Sequence, residues 1–382
     1  MKSIPNCIPH ITGNEIKYLK ECIDTKWISS VGPFVDRLEE EFAKYHNMPA
    51  ATAVSSGTAA IHLGLLAIGV KQGDLVLCPS ITFIGMVNPI KYCGADPLFL
   101  DIDPDTLNLS PECLNEFLTN ETISQNNETF YKKTGQRIAA LIVVHLYGTP
   151  AEMDTISDIS NQYKIPVLED AAESLGAKYK GKLVGTIGDV GCFSFNGNKV
   201  ITTGGGGMII SRNIKTTKLC KHLSTQAKID NFEFVHDAIG FNYRLSNICA
   251  AVGVAQIEHL NEYIEKKRKH AFYYQDLFNE SKAIEIVISR NNCFGTYWMI
   301  IARNKIADDS TINKIRALSE KGLGVRPIWY PIHKLPPYQM YEYYGNNKFE
   351  MIYQSNFCLP SSVGLTQNEI ETTVGFVRNA FE

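Results

Sequence analysis

Short apolar runs alternate with helical stretches along the first half of the chain. The clearest runs of strand length cover residues 50–54, 75–78, 98–100 and 139–144. Apolar positions recur with helical spacing between several of these runs. Continuous apolar strands separated by helices are typical of a parallel sheet that is covered on both faces. The pattern therefore predicts an α/β fold with a mostly parallel central sheet covered by helices.

The last hundred residues have a different order of elements. Strands are expected near residues 284–288, 298–302 and 324–328, with helices near 312–320 and 367–380. Strands mixed with helices in this way indicate a smaller α+β unit. We expect a large domain over residues 1–255 and a small C-terminal domain over residues 256–382. No linker rich in proline or serine marks the join.

Two further stretches have simpler predictions. Residues 248–278 are expected to form one long helix, and its basic run at 266–269 is interpreted as a solvated face. Residues 120–136 are rich in Asn, Glu, Thr and Lys, which is typical of a mobile surface excursion rather than of a chemical site.

A lysine lies between a short strand and a run of glycines. Residues 190–195 have the apolar pattern of a buried strand, Lys199 follows in a polar turn, and four glycines occupy 204–207. Glycine allows the backbone to adopt unusual conformations and lets other groups approach closely. A desolvated lysine has a lowered pKa and can form a Schiff base with a carbonyl. Lys199 is thus a candidate for amine chemistry, and a solvated turn lysine is the alternative.

An acidic residue ends another apolar run about thirty positions upstream. Residues 165–168 read as a strand that leads into Glu169, Asp170 and, after two alanines, Glu173. Ligands of parallel α/β sheets bind at the carboxyl ends of the strands. Asp170 either caps a helix there or holds a proton on a heterocyclic nitrogen. With Lys199, the second interpretation suits pyridoxal phosphate (PLP), which needs a Schiff-base lysine and an acidic partner for its ring nitrogen.

Five separated motifs strengthen this interpretation: SSGTAAIHL, EDAAES, SFNGNKVITTGGGG, GFNYRLSN and LPSSVGLT. In this order and spacing, they resemble the DegT/DnrJ/EryC1/StrS family of nucleotide-sugar aminotransferases over nearly the whole chain. The resemblance implies a PLP-dependent transaminase with the aspartate aminotransferase type of fold, PLP fold type I. A non-catalytic binding or regulatory protein on the same fold is the alternative, but such a protein would be expected to lose Lys199 or Asp170.

The resemblance also implies roles for individual residues in binding the cofactor. Lys199 would carry PLP, and Asp170 would pair with its ring nitrogen. Glu173 falls where many relatives have Gln, so its role is less secure. The other cofactor-binding positions implied are the phosphate turn Gly57, Thr58 and Ala59, the ring-stacking Phe83, the phosphate contact Ser194, and Asn242, which would reach the other subunit of a homodimer. Taken in isolation, the same motif is more often an ordinary helix cap.

The substrate positions are expected in two loops. Trp27 lies in an apolar loop that lines either the substrate site or a subunit contact. The stretch RPIWYPIH offers Arg326, Tyr330 and His333 for sugar and diphosphate contacts, with a plain proline-rich turn as the alternative.

Different motifs of the chain resemble family subgroups that act on different nucleotide sugars. EDAAES, the link TQAK and LPSSVGLT are most similar to the subgroup that aminates C4 of UDP-linked 4-keto-6-deoxy-N-acetylhexosamines, for bacillosamine and legionaminic acid. RPIWYPIHKLPPY is more similar to GDP-perosamine synthases. The first interpretation is preferred, with L-glutamate as the amino donor and surface-polysaccharide sugars as the products.

Composition excludes several other classes. The net charge is −3, which offers no electrostatic basis for binding nucleic acid or an anionic membrane. No apolar stretch approaches the ~20 residues of a membrane span, and the N-terminus has no apolar signal region. The ten cysteines are scattered without a CxxC pair. We therefore expect a cytoplasmic protein without a metal site.

Overall fold

The computed structural model describes residues 3–306 and 310–382. The helices are α1 (Glu15–Thr25), α2 (Pro33–His46), α3 (Gly57–Ala67), α4 (Ile84–Tyr92), α5 (Pro111–Glu121), α6 (Met153–Gln162), α7 (Ile214–Ser224), α8 (Asn247–Ile257), α9 (Leu260–Phe278), α10 (Thr311–Glu320), α11 (Lys348–Ser355) and α12 (Gln367–Phe381).

The strands are β1 (Ala51–Val54), β2 (Leu75–Pro79), β3 (Asp96–Leu100), β4 (Thr122–Gln125), β5 (Glu128–Tyr131), β6 (Ile138–Val144), β7 (Val167–Asp170), β8 (Lys178–Tyr179), β9 (Lys182–Leu183), β10 (Val190–Ser194), β11 (Gly207–Ile210), β12 (Ile284–Ile286), β13 (Cys293–Phe294), β14 (Ile300–Asn304), β15 (Arg326–Pro327), β16 (Tyr343–Tyr344) and β17 (Asn356–Leu359).

An eight-stranded sheet in the order β1-β11-β10-β7-β6-β2-β3-β16 forms the centre of the molecule. Its strands are parallel except β11, which pairs antiparallel with both β1 and β10. The predicted mostly parallel sheet is confirmed.

Both faces of this sheet are buried, because its strands send alternate side chains to opposite sides. Along β2, Leu75 and Leu77 pack with α5 and α6, whereas Val76 and Cys78 belong to the larger core with α2, α3 and α8. This double coverage explains the nearly continuous apolar runs in the sequence.

A second core lies around the four-stranded sheet β12-β14-β17-β15. It is formed with the C-terminal half of α9, with α10 and α12, and with Ile4 from the N-terminal segment. The N-terminal half of α9 instead packs in the large core, through Leu260, Tyr263 and Ile264. The division of the chain near residue 255 stays a prediction.

Two local predictions differ from the structure. The single helix expected over 248–278 is two helices, α8 and α9, which meet at Glu258 and His259. The Glu258 carboxylate accepts hydrogen bonds from Tyr18 Oη (2.7 Å), Asn14 Nδ2 (2.8 Å) and Arg37 Nη2 (3.0 Å). These bonds tie the end of α8 to the N-terminal helices, so the break is fixed by tertiary contacts and not by a proline or glycine.

The surface excursion at 120–136 contains the hairpin β4–β5. Asn126 and Asn127 have φ of 51° and 69° at its tip, as a two-residue type I′ turn requires. Tyr131 of β5 packs on Phe117 with ring centroids 5.5 Å apart, so the hairpin is anchored to the core.

No helix among residues 3–306 and 310–382 is both long and apolar enough to cross a membrane.

Candidate active site

A cavity of about 310 Å³ lies at the carboxyl ends of the central strands. β7 ends at Asp170, the adjacent parallel strand β10 ends at Ser194, and α3 begins at Gly57 directly after β1. The cavity is lined by Ser56, Gly57, Thr58, Ile61, Phe83, Gly85, Met86, Asp170, Ala172, Glu173, Ser194, Asn196, Asn198, Lys199, Gly205, Gly206, Trp298 and Trp329. The structure thus brings Lys199 and Asp170 to one cavity.

The glycine run allows the strands beside the cavity to meet closely. Gly207 begins β11 between β1 and β10, and a Cβ there would lie 2.6 Å from the carbonyl oxygen of Ser56 and 2.7 Å from that of Phe193. Any side chain at this position would push the strands apart. Gly205 and Gly206, just before it, leave one wall of the cavity as bare backbone.

Lys199 is half-buried in the turn after β10, and its Nζ lies 3.7 Å from the ring centroid of Trp298. Burial lowers the pKa of its amine, while the negative charges of Glu173 and Asp170 act in the opposite direction. None of the described residues forms a hydrogen bond with Nζ. A lysine in this setting has an amine that is free to react with a ligand in the cavity.

Asp170 is 6% exposed, and its Oδ1 accepts a hydrogen bond from the backbone N–H of Ala172 (3.0 Å). Burial raises the pKa of this carboxyl group, and the nearby Lys199 opposes that shift. A cationic nitrogen placed in the cavity would stabilise the carboxylate in the same way.

A buried hydrogen-bond network fixes the strand end that carries Asp170. The neighbouring Glu169 accepts hydrogen bonds from His145 Nε2 (2.8 Å) and from the backbone N–H groups of Gly185, Ile187 and Gly188. His145 Nδ1 accepts from the N–H of Ala151 (3.0 Å), so its proton lies on Nε2 and is donated to Glu169. Burial acts to raise the pKa of Glu169, but these bonds and His145 lower it. With Glu169 held on one face of β7, Asp170 must face the other.

Glu173 is buried and accepts two hydrogen bonds: from the N–H of Tyr147 (2.8 Å) and from Trp329 Nε1 (3.2 Å). Burial raises the pKa of its carboxyl group. Tyr147 has φ of 56°, a conformation rarely adopted by an aromatic residue. Its N–H bond to Glu173, with a bond from the Trp329 N–H to its Oη (2.7 Å), holds that backbone in place.

The N-terminus of α3 presents free donors to the cavity. Ser56 Oγ accepts from the N–H of Ala59 (3.0 Å), which leaves the N–H groups of Gly57 and Thr58 without an acceptor among the described residues. Free N–H groups at a helix N-terminus bind phosphate. A Cβ on Gly57 would lie 2.8 Å from Ser194 Cβ, so glycine lets the helix end approach β10. Ala59 itself is buried behind the cap and does not line the cavity.

Phe83 stands at the start of α4 with 51% of its surface exposed. Its ring centroid lies 5.2 Å from that of Trp329, and both rings line the cavity. An exposed aromatic face beside Asp170 offers a surface on which a planar ligand ring can stack.

The remaining predicted residues lie outside this cavity. Arg326 lines a neighbouring cavity of about 570 Å³, which shares Asn198 and Trp329 with the first. Tyr330 lines a separate surface cavity, with its ring 5.1 Å from Tyr353. Trp27 lies half-exposed in the α1–α2 loop.

His333 is 7% exposed and lies among aromatic rings, stacked on Tyr343 at 4.4 Å and edge-on to Phe349 at 4.4 Å. Burial lowers the pKa of this imidazole to about 4. The structure therefore places it as a packing residue and not in a substrate cavity. Asn242 is exposed and bridged to Thr225.

Sequence reasoning missed two tryptophans of the site. Trp298 and Trp329 come from the C-terminal third of the chain, yet both line the Lys199 cavity. Trp329 lies in the stretch RPIWYPIH, between the predicted residues Arg326 and Tyr330. Its indole N–H is a hydrogen-bond donor, which is the signal that could have identified it. Nothing local distinguishes Trp298 from a core tryptophan.

The residues present fit PLP. One cavity is lined by a lysine and by helix N-terminal N–H groups that have no hydrogen-bond partner in the described part of the chain, together with a buried carboxylate at a strand end and an exposed aromatic face. These are the groups that a phosphorylated pyridine aldehyde requires.

The comparisons with known proteins agree with this geometry. The sequence profile of the DegT/DnrJ/EryC1/StrS aminotransferase family matches residues 9–378. GDP-perosamine synthase of Escherichia coli O157:H7 is 40% identical over 339 residues, 88% of this chain and 88% of that protein. GDP-perosamine synthase of Vibrio cholerae is 34% identical over 385 residues, 99% of each chain.

Among solved structures, the aminotransferase TlmJ from Streptoalloteichus hindustanus is similar in fold, with a TM-score of 0.88. It is 26% identical, and the match covers 99% of this chain and 98% of that one. The predicted PLP fold type I is thereby confirmed. The chain belongs to the DegT/DnrJ/EryC1/StrS aminotransferase family and is a PLP-dependent aminotransferase.

Proposed function

We propose that this enzyme transfers an amino group to C4 of a nucleotide-linked 4-keto-6-deoxy sugar. The observation that carries the proposal is the shared cavity of Lys199 and Asp170, in a family of aminotransferases. The amino donor is proposed to be L-glutamate, by resemblance to the family.

Each residue of the cavity has a proposed task. Lys199 Nζ would hold PLP covalently, and as a free amine it would move a proton between the substrate carbon and the cofactor carbon. Asp170 would keep the ring nitrogen protonated. Gly57, Thr58 and Ser194 would bind the phosphate, and Phe83 would stack on the ring. When bound, PLP supplies the electron sink for the carbon that gains or loses the amine.

Glu173 is proposed to position the site rather than to act on the substrate. Its two carboxylate oxygens already accept from Tyr147 and Trp329. It thereby joins the strand end of β7 to the loop that carries Trp329.

For the nucleotide, we place a GDP-linked sugar first. Both curated relatives described above are named GDP-perosamine synthase, and they align over 88% and 99% of this chain. The stretch RPIWYPIHKLPPY favours the same group. A UDP-linked N-acetyl sugar is the second candidate, because EDAAES, TQAK and LPSSVGLT resemble the enzymes that act on it.

We further propose a homodimer in which Asn242 completes the partner's phosphate site. Asn242 is exposed and lies outside the cavity of its own chain. The segment before it exposes large apolar side chains, with Phe232 at 91% and Ile239 at 89%. Burial of these side chains against a second copy would stabilise the dimer.

The test of the substrate is a direct assay. The purified enzyme with PLP and L-glutamate is incubated with GDP-linked 4-keto-6-deoxymannose and, in parallel, with UDP-linked 4-keto-6-deoxy-N-acetylhexosamine. Mass spectrometry detects the amine, and NMR locates it on the ring. We expect amination at C4 and a higher kcat/KM for the GDP-linked sugar. A preference for the UDP-linked sugar would support the second candidate, and amination of neither would overturn the proposal.

For the dimer, an Asn242→Ala chain mixed with a Lys199→Ala chain should regain activity, since each heterodimer has one site with both residues intact. If mixing restores nothing although exchange of subunits is demonstrated, the shared site is excluded.

A further inference from the structure

Trp298 presents its ring face to the reactive amine of the cavity. Lys199 Nζ lies 3.7 Å from the centroid of the indole ring, a distance at which an ammonium group is attracted by the ring electrons. Among the described residues, this ring is the one aromatic face over which the Lys199 ammonium lies.

The same side chain also fixes the backbone beside Lys199. Trp298 Nε1 donates a 2.6 Å hydrogen bond to the carbonyl oxygen of Asn198, the residue directly before the lysine. Cys7 Sγ donates to the same oxygen (3.2 Å). Trp298 therefore contacts both ends of this lysine: its N–H fixes the backbone directly before Lys199, and its ring face contacts the Lys199 amine.

Trp298 is restrained by burial and by hydrogen bonds to its backbone. It is 1% exposed, and its own carbonyl oxygen accepts bonds from Lys267 Nζ (3.1 Å) and Ser361 Oγ (2.9 Å). The preceding Tyr297 has φ of 49°. These bonds hold the backbone of Trp298, and the Nε1 bond to Asn198 fixes the orientation of its ring.

We propose that Trp298 is a positioning residue that receives the Lys199 amine on its ring face whenever that amine is not covalently bound. The inference rests on the proposed role of Lys199. During transamination the lysine is released and must stay within reach of the substrate carbon. The ring provides a resting place that blocks neither the ring-nitrogen partner Asp170 nor the phosphate turn.

The ring acts on the charged form of the amine. The other titratable groups that face Lys199 are Glu173, Asp170 and Cys7. A ring face stabilises the ammonium without a hydrogen bond, so the amine can leave it without breaking one. Withdrawing electron density from the face of the Trp298 ring should therefore lower the pKa of Lys199, while the shape of the site is kept.

The test uses fluorinated tryptophans at position 298, with one to four ring fluorines, in the full cofactor-free chain. Fluorine withdraws electrons from the ring face but leaves the indole shape and N–H in place. The pKa of Lys199 is measured by trace acetylation over a pH series, with mass spectrometry of the Lys199 peptide. The same series at Trp329, which lines the same cavity, is the control.

We expect the pKa of Lys199 to fall stepwise with each fluorine, by about 1 unit in all, and to stay nearly constant in the Trp329 series. A pKa that is insensitive to fluorination at position 298, or equally sensitive at both positions, would overturn the inference.

A separate measurement distinguishes the two proposals. Borohydride reduction of the unmodified enzyme with PLP shows whether Lys199 carries the cofactor. If it does and the pKa series is flat, the role of Trp298 fails and the proposed function stands. If it does not, the proposed function fails whatever the series shows.

Discussion

Two lysines, Lys199 and Lys267, contact the same tryptophan, Trp298, and yet have opposite surroundings. Lys267 of α9 is 1% exposed, and its Nζ donates to the carbonyl oxygens of Ser361 (2.5 Å) and Trp298 (3.1 Å) and to Cys7 Sγ (3.7 Å). Lys199 faces a cavity, and its amine meets an aromatic ring instead of a hydrogen-bond acceptor.

Burial lowers the pKa of both amines, so desolvation alone does not mark a reactive lysine. The two lysines differ in whether the amine already donates hydrogen bonds. Lys267 would have to break two bonds to backbone oxygens before it could react, and at 1% exposed it is closed off from ligands. Lys199 has neither restraint. The lowered pKa becomes useful for catalysis only where the amine is also unbonded and accessible.

The largest effect is expected for Lys199→Ala. Transamination should fall by ~10³-fold or more, because the variant loses both the covalent link and the proton-moving amine. The amino-group transfer is measured in steady state, with thermal unfolding as the check on the fold. Lys182→Ala, at an exposed lysine of β9, is the control and should keep full activity. Activity of the Lys199 variant near the wild-type level would break the distinction between the two lysines.

The next effect is expected for Asp170→Asn. The amide can still accept the N–H of Ala172 but cannot hold a proton on the ring nitrogen as a carboxylate does. We expect kcat to fall by about 10²–10³-fold with the fold intact. Single-turnover formation of the aminated sugar measures it. An unchanged kcat would show that Asp170 only caps the turn after β7.

Lys267→Ala should act on stability. The variant leaves backbone oxygens of Trp298 and Ser361 short of a donor and opens a cavity in the core. We expect a loss of about 2–4 kcal/mol in the free energy of unfolding, measured with urea. The matched control is Lys269→Ala, at an exposed position on the same helix. Equal stability of the two variants would contradict a structural role for Lys267.

The smallest effect is a pH dependence. Burial lowers the pKa of Lys267, so between the lowered pKa and the ordinary value near 10.4 the folded state binds fewer protons there than the unfolded chain. The contribution of this amine to unfolding free energy therefore rises with pH in that window. The free energy of unfolding of wild type minus that of Lys267→Met should therefore rise as the pH approaches about 10.4, by at most ~1.4 kcal/mol per pH unit. A difference that is flat or falls with pH would argue against a desolvated amine.

The comparison also separates what the sequence reveals from what it hides. Lys199 and Asp170 were predictable, because both follow apolar strands and parallel strands bring their carboxyl ends to one edge. Lys267 was interpreted as part of a solvated basic run at 266–269, and this was wrong. Its stem lies on the apolar side of α9, and its partners Ser361 and Trp298 come from distant segments.

Trp298 and His333 were also placed wrongly or overlooked, and again because their contacts come from distant segments. Trp298 reaches the cavity only because the segment around it packs against Tyr147 and Gly148, with the Thr296 N–H donating to the Gly148 carbonyl (2.9 Å). His333 has the residue type of a ligand contact, but three aromatic neighbours bury it. Contacts between segments that lie far apart in the chain leave no periodic signal, so local patterns could not place these side chains.

The most direct test of the central claim is to reduce the PLP-loaded enzyme with borohydride and to locate the modified lysine by peptide mass spectrometry. The account predicts one pyridoxyl group per chain, on Lys199, with Lys267 unmodified. A label on Lys267 or any other lysine, or protein that binds PLP without a reducible link to Lys199, would contradict it.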